Sequence, residues 1–181
     1  GAPIAREDGF VAWRCTNFAC PAQAVTRIKH FCSRKALDIE GIGEVVAEAL
    51  VRHGLARSPL DLFRLTLDQL GPLNLGTPDE PRRFGEKNAA TALKAIAAAR
   101  TKPLARWLFA MGIRHVGESA ARELARLHAS LAELADSAIL AELVRDTRPD
   151  AKKKNEILAP YAISADVGPT AAASIRAFFT S

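Results

Sequence analysis

The sequence predicts a mainly α-helical fold in which four short helical hairpins follow one another along the chain. Alanine-rich stretches dominate the 181 residues, and aromatic residues make up only 6%, a composition that favours helices over sheet. The second observation is a repeated motif. At four places an apolar residue and a glycine precede a helix that is rich in small residues. Internal repeats of this kind usually indicate stacked supersecondary units.

The four bends differ in the residue that precedes the apolar position. They are Gly41-Ile42-Gly43, Arg83-Phe84-Gly85, His115-Val116-Gly117 and Asp166-Val167-Gly168. Only the first has a glycine on both sides of its apolar residue. In the third bend we expect Gly117 to adopt the positive φ that a tight turn needs. Because the fourth bend begins with acidic Asp166, we expect it to be mainly structural.

The bends are candidates for binding phosphate groups. The first N–H groups of a helix have no partner within the helix, and the helix dipole favours an anion at that end. Basic side chains flank the second and third bends, namely Arg83, Lys87, Arg114 and His115. Tight turns with free N–H groups and basic neighbours suit a nucleic-acid backbone. The alternative is that the glycines only permit close helix packing and that His115 only caps a turn.

The charge distribution supports the nucleic-acid interpretation. The formal net charge is +5 and the isoelectric point is about 9.4. Residues 82–126 carry ten Lys or Arg against three Glu, a net charge of +7, whereas residues 37–81 carry three Arg against eight acids, a net charge of −5. The basic excess around the second and third bends is expected of a surface that contacts phosphates. A solvated helix face is the alternative for any single arginine.

The three cysteines are too few for a disulfide scaffold and favour reduced thiols or metal ligation. Cys15 and Cys20 could hold half of a tetrahedral zinc site. Cys32 lies on an apolar helical face and is predicted to be a core residue, although His30 or Cys32 could instead complete a zinc site. The sequence has no apolar run long enough to span a membrane and no signal peptide, which predicts a cytosolic protein or an internal fragment.

The other elements follow from periodicity and capping. A helix begins at Pro21 and a short helix at Ser58-Pro59, residues 71–82 form a loop, and the longest helix runs from Glu86 to Arg100. Further helices begin at Lys102-Pro103, Ser130 and Ser137, and a last one ends near Phe179. Residues 145–162 contain a run of three lysines. We predict a solvated polar excursion there, with contact to nucleic acid as the alternative.

Three separated segments, residues 28–43, 103–118 and 166–179, resemble the bacterial NAD-dependent DNA ligase family. The resemblance implies a tandem helix-hairpin-helix domain of four motifs that grips nicked duplex DNA across the minor groove. It implies that a four-cysteine zinc finger precedes this domain, with Cys15 and Cys20 as its last two ligands, so that the chain holds a zinc half-site only. Residues 1–35 would be the truncated zinc-finger region and connecting helix, and residues 36–181 the DNA-binding domain.

The resemblance also implies an activity for the parent protein, a nick-sealing enzyme of bacterial DNA replication and repair. A lysine takes AMP from NAD, the AMP moves to the 5′-phosphate at the nick, and the 3′-hydroxyl displaces it with the help of magnesium. The sequence contains no Lys-x-Asp-Gly site, so we expect an internal fragment that is not catalytic alone and binds neither NAD nor magnesium. Its partners would be DNA and the adenylation and oligonucleotide-binding domains of the same chain. We expect a monomer in the cytoplasm, associated with the nucleoid and not with membranes.

The resemblance implies that the bends meet the phosphates through backbone N–H groups and add charge through nearby side chains. The DNA-binding residues are then Gly41, Gly43, Arg83, Gly85, Lys87, Arg114, His115, Gly117 and Gly168. Such contacts position a duplex without reading its sequence. Two alternatives are a helix-hairpin-helix domain of a repair nuclease or junction-processing protein, and a helical protein-interaction module.

Overall fold

The structure is a computed structural model that describes residues 4–6, 13–15 and 21–180, with side chains from residue 23 onward. The chain divides into two compact units. The first comprises the described residues up to 34 together with 38–100, and the second comprises residues 35–37 together with 101–180. The predicted domain boundary between residues 35 and 36 stays a prediction.

The described part of the first unit contains a small β-ribbon and four α-helices. In the ribbon, β1 (Ile4–Arg6) pairs antiparallel with β2 (Trp13–Cys15). The helices are α1 (Pro21–Cys32), α2 (Glu44–Arg52), α3 (Leu67–Leu70) and α4 (Glu86–Ala99), with a 3-10 helix at Pro59–Arg64 between α2 and α3. The predicted loop between α3 and α4 is present.

The described part of the second unit contains six α-helices. They are α5 (Leu104–Ala110), α6 (Glu118–Leu127), α7 (Leu131–Ala135), α8 (Ala138–Arg145), α9 (Ala151–Lys154) and α10 (Pro169–Thr180), with a 3-10 helix at Ala159–Tyr161. The mainly α-helical fold predicted from the sequence is confirmed. None of the helices in the described ranges is both long and apolar enough to cross a membrane.

The core of the first unit forms where α1, α2 and α4 bury small and aromatic side chains. On α4 the buried face is Ala89, Ala92, Ile96 and Ala99, which repeats at the helical spacing of three and four residues. Phe31 meets Phe63 edge-to-face with 6.2 Å between ring centroids, and the Arg100 guanidinium lies 4.8 Å over the Phe63 ring. Alanines therefore allow close helix packing, and larger side chains such as Ile28, Phe31 and Leu50 are also buried in this core.

The core of the second unit is built mainly from leucine, isoleucine and alanine side chains on α6, α8 and α10. The predicted helix starts at Ser130 and Ser137 are confirmed, since each hydroxyl accepts a hydrogen bond from the backbone N–H three residues later, at 3.1 Å. The Nε2 atom of buried His128 lies 2.7 Å from Ser137 Oγ, and its Nδ1 atom lies 2.9 Å from the Leu124 carbonyl oxygen. Since a carbonyl can only accept, Nδ1 carries the proton and the Ser137 hydroxyl donates to Nε2.

Cys32 is a core residue, as predicted. It is 6% exposed, and burial raises the pKa of its thiol to about 12. A thiol in this environment stays protonated near neutral pH, whereas zinc takes the thiolate. Burial therefore favours the structural role of Cys32 over ligation.

Candidate nucleic-acid interface

Each of the four bends precedes a helix that packs against an earlier helix. In the fourth case α9 and a 3-10 helix lie between that earlier helix and the bend. The pairs are α1 with α2, α3 with α4, α5 with α6, and α8 with α10. In every bend the middle residue is buried and at most 6% exposed. These residues are Ile42, Phe84, Val116 and Val167. Burial of this one side chain holds each bend against the core and confirms the four predicted hairpins.

The glycine that follows the buried residue opens the next helix in all four hairpins. Its carbonyl oxygen accepts the first helical hydrogen bond from the N–H four residues later, at 2.9 to 3.0 Å. A methyl group added to the Cα atom of any of these glycines would meet no atom within 4 Å. The glycines are Gly43, Gly85, Gly117 and Gly168. The protein thus leaves open space at the start of each helix, where another backbone can approach.

The prediction that Gly117 has a positive φ is wrong. Its φ is −85° and its ψ is −176°, which is extended backbone that other residues adopt. The left-handed residue of this bend is His115, with a φ of 62°, and its counterpart in the first bend is Gly41, with a φ of 89°. The chain turns two residues before the glycine, at Gly41 and at His115, so the glycine at the helix start needs no positive φ in these two bends. In the second bend the positive φ falls on Gly85 instead, at 87°.

Gly41 is also a point of close approach within the first unit. A methyl group on its Cα atom would lie 3.3 Å from the Ala92 side chain on α4, which is tight for a carbon–carbon contact. Both the backbone conformation and the neighbouring helix therefore require glycine at this position.

The bends differ in the charge of their exposed side chains even where their backbone conformations are the same. The second bend exposes Arg83 and Lys87, and the third exposes Arg114 and His115. The only acid at the start of α6 in the described structure, Glu118, lies 2.8 Å from Lys35 Nζ, and this hydrogen bond holds the pKa of the carboxyl group below its ordinary value. At the second bend Arg83 and Lys87 outnumber the exposed acid Glu86, so each of these two bends carries a net positive charge.

The first bend has the same backbone conformation as the third bend, but acidic instead of basic side chains surround it. Its exposed side chains include Asp38, Glu40 and Glu44, and Glu44 forms an ion pair with Lys29 at 2.6 Å. The fourth bend exposes Asp166. All nine predicted DNA-binding residues lie at the bends. Seven of them are exposed, and Gly85 and Gly168 are partly exposed.

Glu123 is a structural residue of the second unit that sequence reasoning missed. Its carboxylate accepts hydrogen bonds from the Arg126 guanidinium at 2.8 Å and from the Ser164 N–H at 2.8 Å. Arg126 also donates to the Tyr161 carbonyl oxygen at 2.8 Å. The network attaches the segment before the fourth bend to α6, the second helix of the third hairpin. The hydrogen bond from Arg126 lowers the pKa of Glu123 to about 2.

The zinc prediction falls mostly outside the described residues. Only the backbone of Cys15 is described, in β2, and Cys20 lies outside the described ranges. Over the part of the chain that the structure describes, no group of three or more His, Cys, Asp or Glu side chains could hold a metal ion.

Comparison with known proteins identifies two regions by family. Residues 1–22 match the NAD-dependent DNA ligase C4 zinc finger domain, and residues 106–145 match the helix-hairpin-helix motif. The chain is 55% identical to a DNA ligase of Akkermansia muciniphila over 175 residues, which are 92% of this chain and 22% of that protein. It is 42% identical to a DNA ligase of Rhizorhabdus wittichii over 190 residues, covering 99% of this chain and 26% of that protein. The chain thus spans about a quarter or less of the length of these relatives.

We expect Gly41→Ser to lower the free energy of unfolding by about 1–2 kcal/mol, because a side chain at a φ of 89° is strained and its Cβ atom meets Ala92. The matched control is Gly43→Ser in the same bend. Its φ is −87° with no atom nearby, and serine is a good N-cap residue, so the change should stay within about 0.5 kcal/mol. Urea unfolding of both variants measures this, and equal losses would contradict the analysis.

Glu123 should make the second unit sensitive to acid. Because its pKa in the folded chain is lowered from 4.5 to about 2, its contribution to stability is complete above the ordinary pKa and is lost as the pH falls through that interval. We expect Glu123→Gln to cost about 1–2 kcal/mol at neutral pH and to flatten the loss of stability in acid. Exposed Glu156→Gln is the control, and an unchanged acid profile in Glu123→Gln would count against the network.

Proposed function

We propose that this chain, which belongs to the NAD-dependent DNA ligase family over the region it spans, binds duplex DNA through the phosphate backbone within an enzyme that seals nicks. The observation that carries the proposal is the third bend. There an open helix start, exposed Arg114 and exposed His115 lie side by side. The matched helix-hairpin-helix region, residues 106–145, includes this bend.

The third bend suits a phosphate for two physical reasons. The first helical hydrogen bond of α6 is donated by Ala121 to Gly117, so the N–H groups of the three residues between them have no partner within the helix. Those N–H groups and the helix dipole favour an anion at this end. Arg114 adds a positive charge that neither the turn nor the dipole supplies.

The second bend supplies a similar contact in the first unit. Gly85 opens α4, a helix of 14 residues, and Arg83 and Lys87 lie exposed on either side of it. The first bend has the required shape at Gly41 and Gly43, but its acidic neighbours disfavour a phosphate. We therefore assign the first bend a weaker contact than the second and third.

Contacts of this kind position a duplex without sequence preference, as sealing nicks at any sequence requires. We propose that the chain holds nicked DNA on its minor-groove side while other domains of the parent protein perform the adenylation and sealing steps. NAD supplies the adenylate and magnesium assists the phosphoryl chemistry in those domains. Cys15 and Cys20 would provide two of the four zinc ligands of the finger.

We place the parent enzyme in the bacterial cytoplasm, acting as a monomer on chromosomal DNA during replication and repair. The runner-up, a protein-interaction module, gives the basic excess between residues 82 and 126 no role. A hairpin domain of a repair nuclease would bind DNA equally well, but the relatives described above are DNA ligases.

Salt dependence tests the proposal directly. The affinity of the chain for a nicked duplex, measured by fluorescence anisotropy, should fall linearly on a logarithmic plot against salt concentration and should not depend on sequence. Arg83→Ala should weaken binding and reduce the magnitude of this slope by about 1. Arg57→Ala removes an exposed arginine of the same unit that lies outside the bends in the sequence and should leave the slope unchanged. An affinity independent of salt would exclude phosphate binding.

Gly117→Val tests whether DNA binding needs the open space beside Gly117, without straining the backbone of the third bend. The φ of −85° accepts valine and no atom lies within 4 Å, so the free energy of unfolding should change by less than about 1 kcal/mol. The branched side chain would nevertheless occupy the place of the phosphate, and we expect the affinity for nicked duplex to fall about tenfold or more. Unchanged affinity in a folded variant would remove this bend from the interface.

A further inference from the structure

The segment between α8 and the fourth bend is folded onto the second unit and is not the solvated excursion predicted from the sequence. Ala151, Leu158 and Ile163 are buried to 3%, 0% and 7% exposure in the core of this unit. The sequence prediction was wrong because the polar residues dominate the composition of the segment, while three separated apolar residues dock it.

A network of hydrogen bonds also holds this segment on α8. Asn155 Nδ2 donates to Glu142 Oε1 at 2.5 Å and to Asp146 Oδ2 at 2.9 Å. The Arg148 guanidinium binds the two oxygens of Asp146 at 2.8 and 2.6 Å, which keeps the pKa of that carboxyl group well below its usual range. Arg145 binds Glu142 in the same way, at 2.7 Å for both contacts. Bidentate pairs of this kind fix orientation as well as charge.

The docked segment and the start of α10 enclose a groove of about 830 Å³. Its apolar lining includes Leu143 and Ile163, and its charged lining consists of Arg148, Lys152, Lys153 and Asp146. Asp146 is already bound by Arg148, so the charge of the groove is positive. At one end the groove reaches Gly168 and Pro169, which form the fourth bend.

Lys152 offsets the acidic residue of that bend. Its Nζ atom donates to the Ser164 carbonyl oxygen, and its ammonium group interacts electrostatically with Glu123 and Asp166. Lys153 lines the groove and is exposed. The fourth bend, acidic in the linear sequence, is therefore flanked by cations in the folded unit.

We propose that this groove seats a stretch of the DNA sugar–phosphate backbone, so that residues 146–162 turn the fourth bend into a DNA contact. The inference rests on the proposed function. A deoxyribose-phosphate strand alternates apolar and anionic groups, which matches an apolar lining with a basic rim. An acidic peptide also has negative charge, but the groove is continuous with Gly168, whose Cα atom faces open space as do the glycines of the other three bends. That continuity favours DNA.

Two neighbouring lysines provide a matched test on the 181-residue chain. Lys153→Glu places a negative charge in the groove, and we expect the affinity for nicked duplex at low salt to fall about tenfold, with a shallower salt slope. Lys154→Glu makes the same change one residue away. Lys154 does not line the groove and is paired with Asp150 at 2.7 Å, so the affinity should change by less than about twofold. Equal affinities of the two variants would overturn the inference.

An uncharged variant tests the role of the groove without changing the net charge of the chain. Ala165 lines the groove and is exposed, so Ala165→Trp should fill the space and weaken DNA binding while urea unfolding stays unchanged. Normal DNA binding by this folded variant would also overturn the inference.

The outcomes distinguish this inference from the function on which it rests. If the unmodified chain fails to bind DNA, the proposed function fails. If the chain binds DNA and Arg83→Ala weakens it, while Lys153→Glu behaves as Lys154→Glu, only the groove assignment fails. Loss of binding to a polyglutamate peptide in Lys153→Glu, with DNA binding intact, would assign the groove to an acidic peptide and overturn the inference.

Discussion

The constraint on which the rest of the structure depends is the burial of one apolar side chain at the tip of each helical hairpin. Ile42, Phe84, Val116 and Val167 reach into the core from the turn, so the backbone on both sides of them has to lie at the surface. The helix that follows begins there, with its unpaired N–H groups facing outward. Packing the core and presenting hydrogen-bond donors to a ligand are therefore consequences of the same contact.

Shape and charge are controlled separately in this framework. The first and third bends share the left-handed residue and the extended glycine, at Gly41 with Gly43 and at His115 with Gly117. Yet acidic side chains surround the first and basic side chains surround the third. A hairpin can thus keep its packing role while exposed residues change the charge around its bend. In the first hairpin, Gly41 packs against Ala92 of α4.

In the second unit, hydrogen bonds between charged side chains and their neighbours hold parts of the chain together in addition to the apolar core. Glu123 connects α6 to the backbone before the fourth bend. Asn155 connects the segment between α8 and the fourth bend to Glu142 of α8 and to Asp146, the residue that follows α8. Each carboxylate is also bound by an arginine, so no buried negative charge lacks a partner among these groups. Since leaving such a charge unpaired is costly, these networks specify where residues 146–162 dock. The position of the cations beside the fourth bend follows from that docking.

Sequence alone determined the helical class, the four bends and the helix starts at Ser130 and Ser137, because these depend on local signals: helix propensity, capping and the spacing of small and apolar residues. It also indicated the core role of Cys32 and the resemblance to NAD-dependent DNA ligases. Tertiary structure decided which residue takes the positive φ, since that depends on how the turn meets the core, and the sequence wrongly favoured Gly117. It also decided the docking of residues 146–162, because Asn155 meets Asp146 at a separation of 9 residues and Glu123 meets Ser164 at a separation of 41. Local patterns carry no information about contacts at such separations, and those contacts placed the basic groove beside the fourth bend.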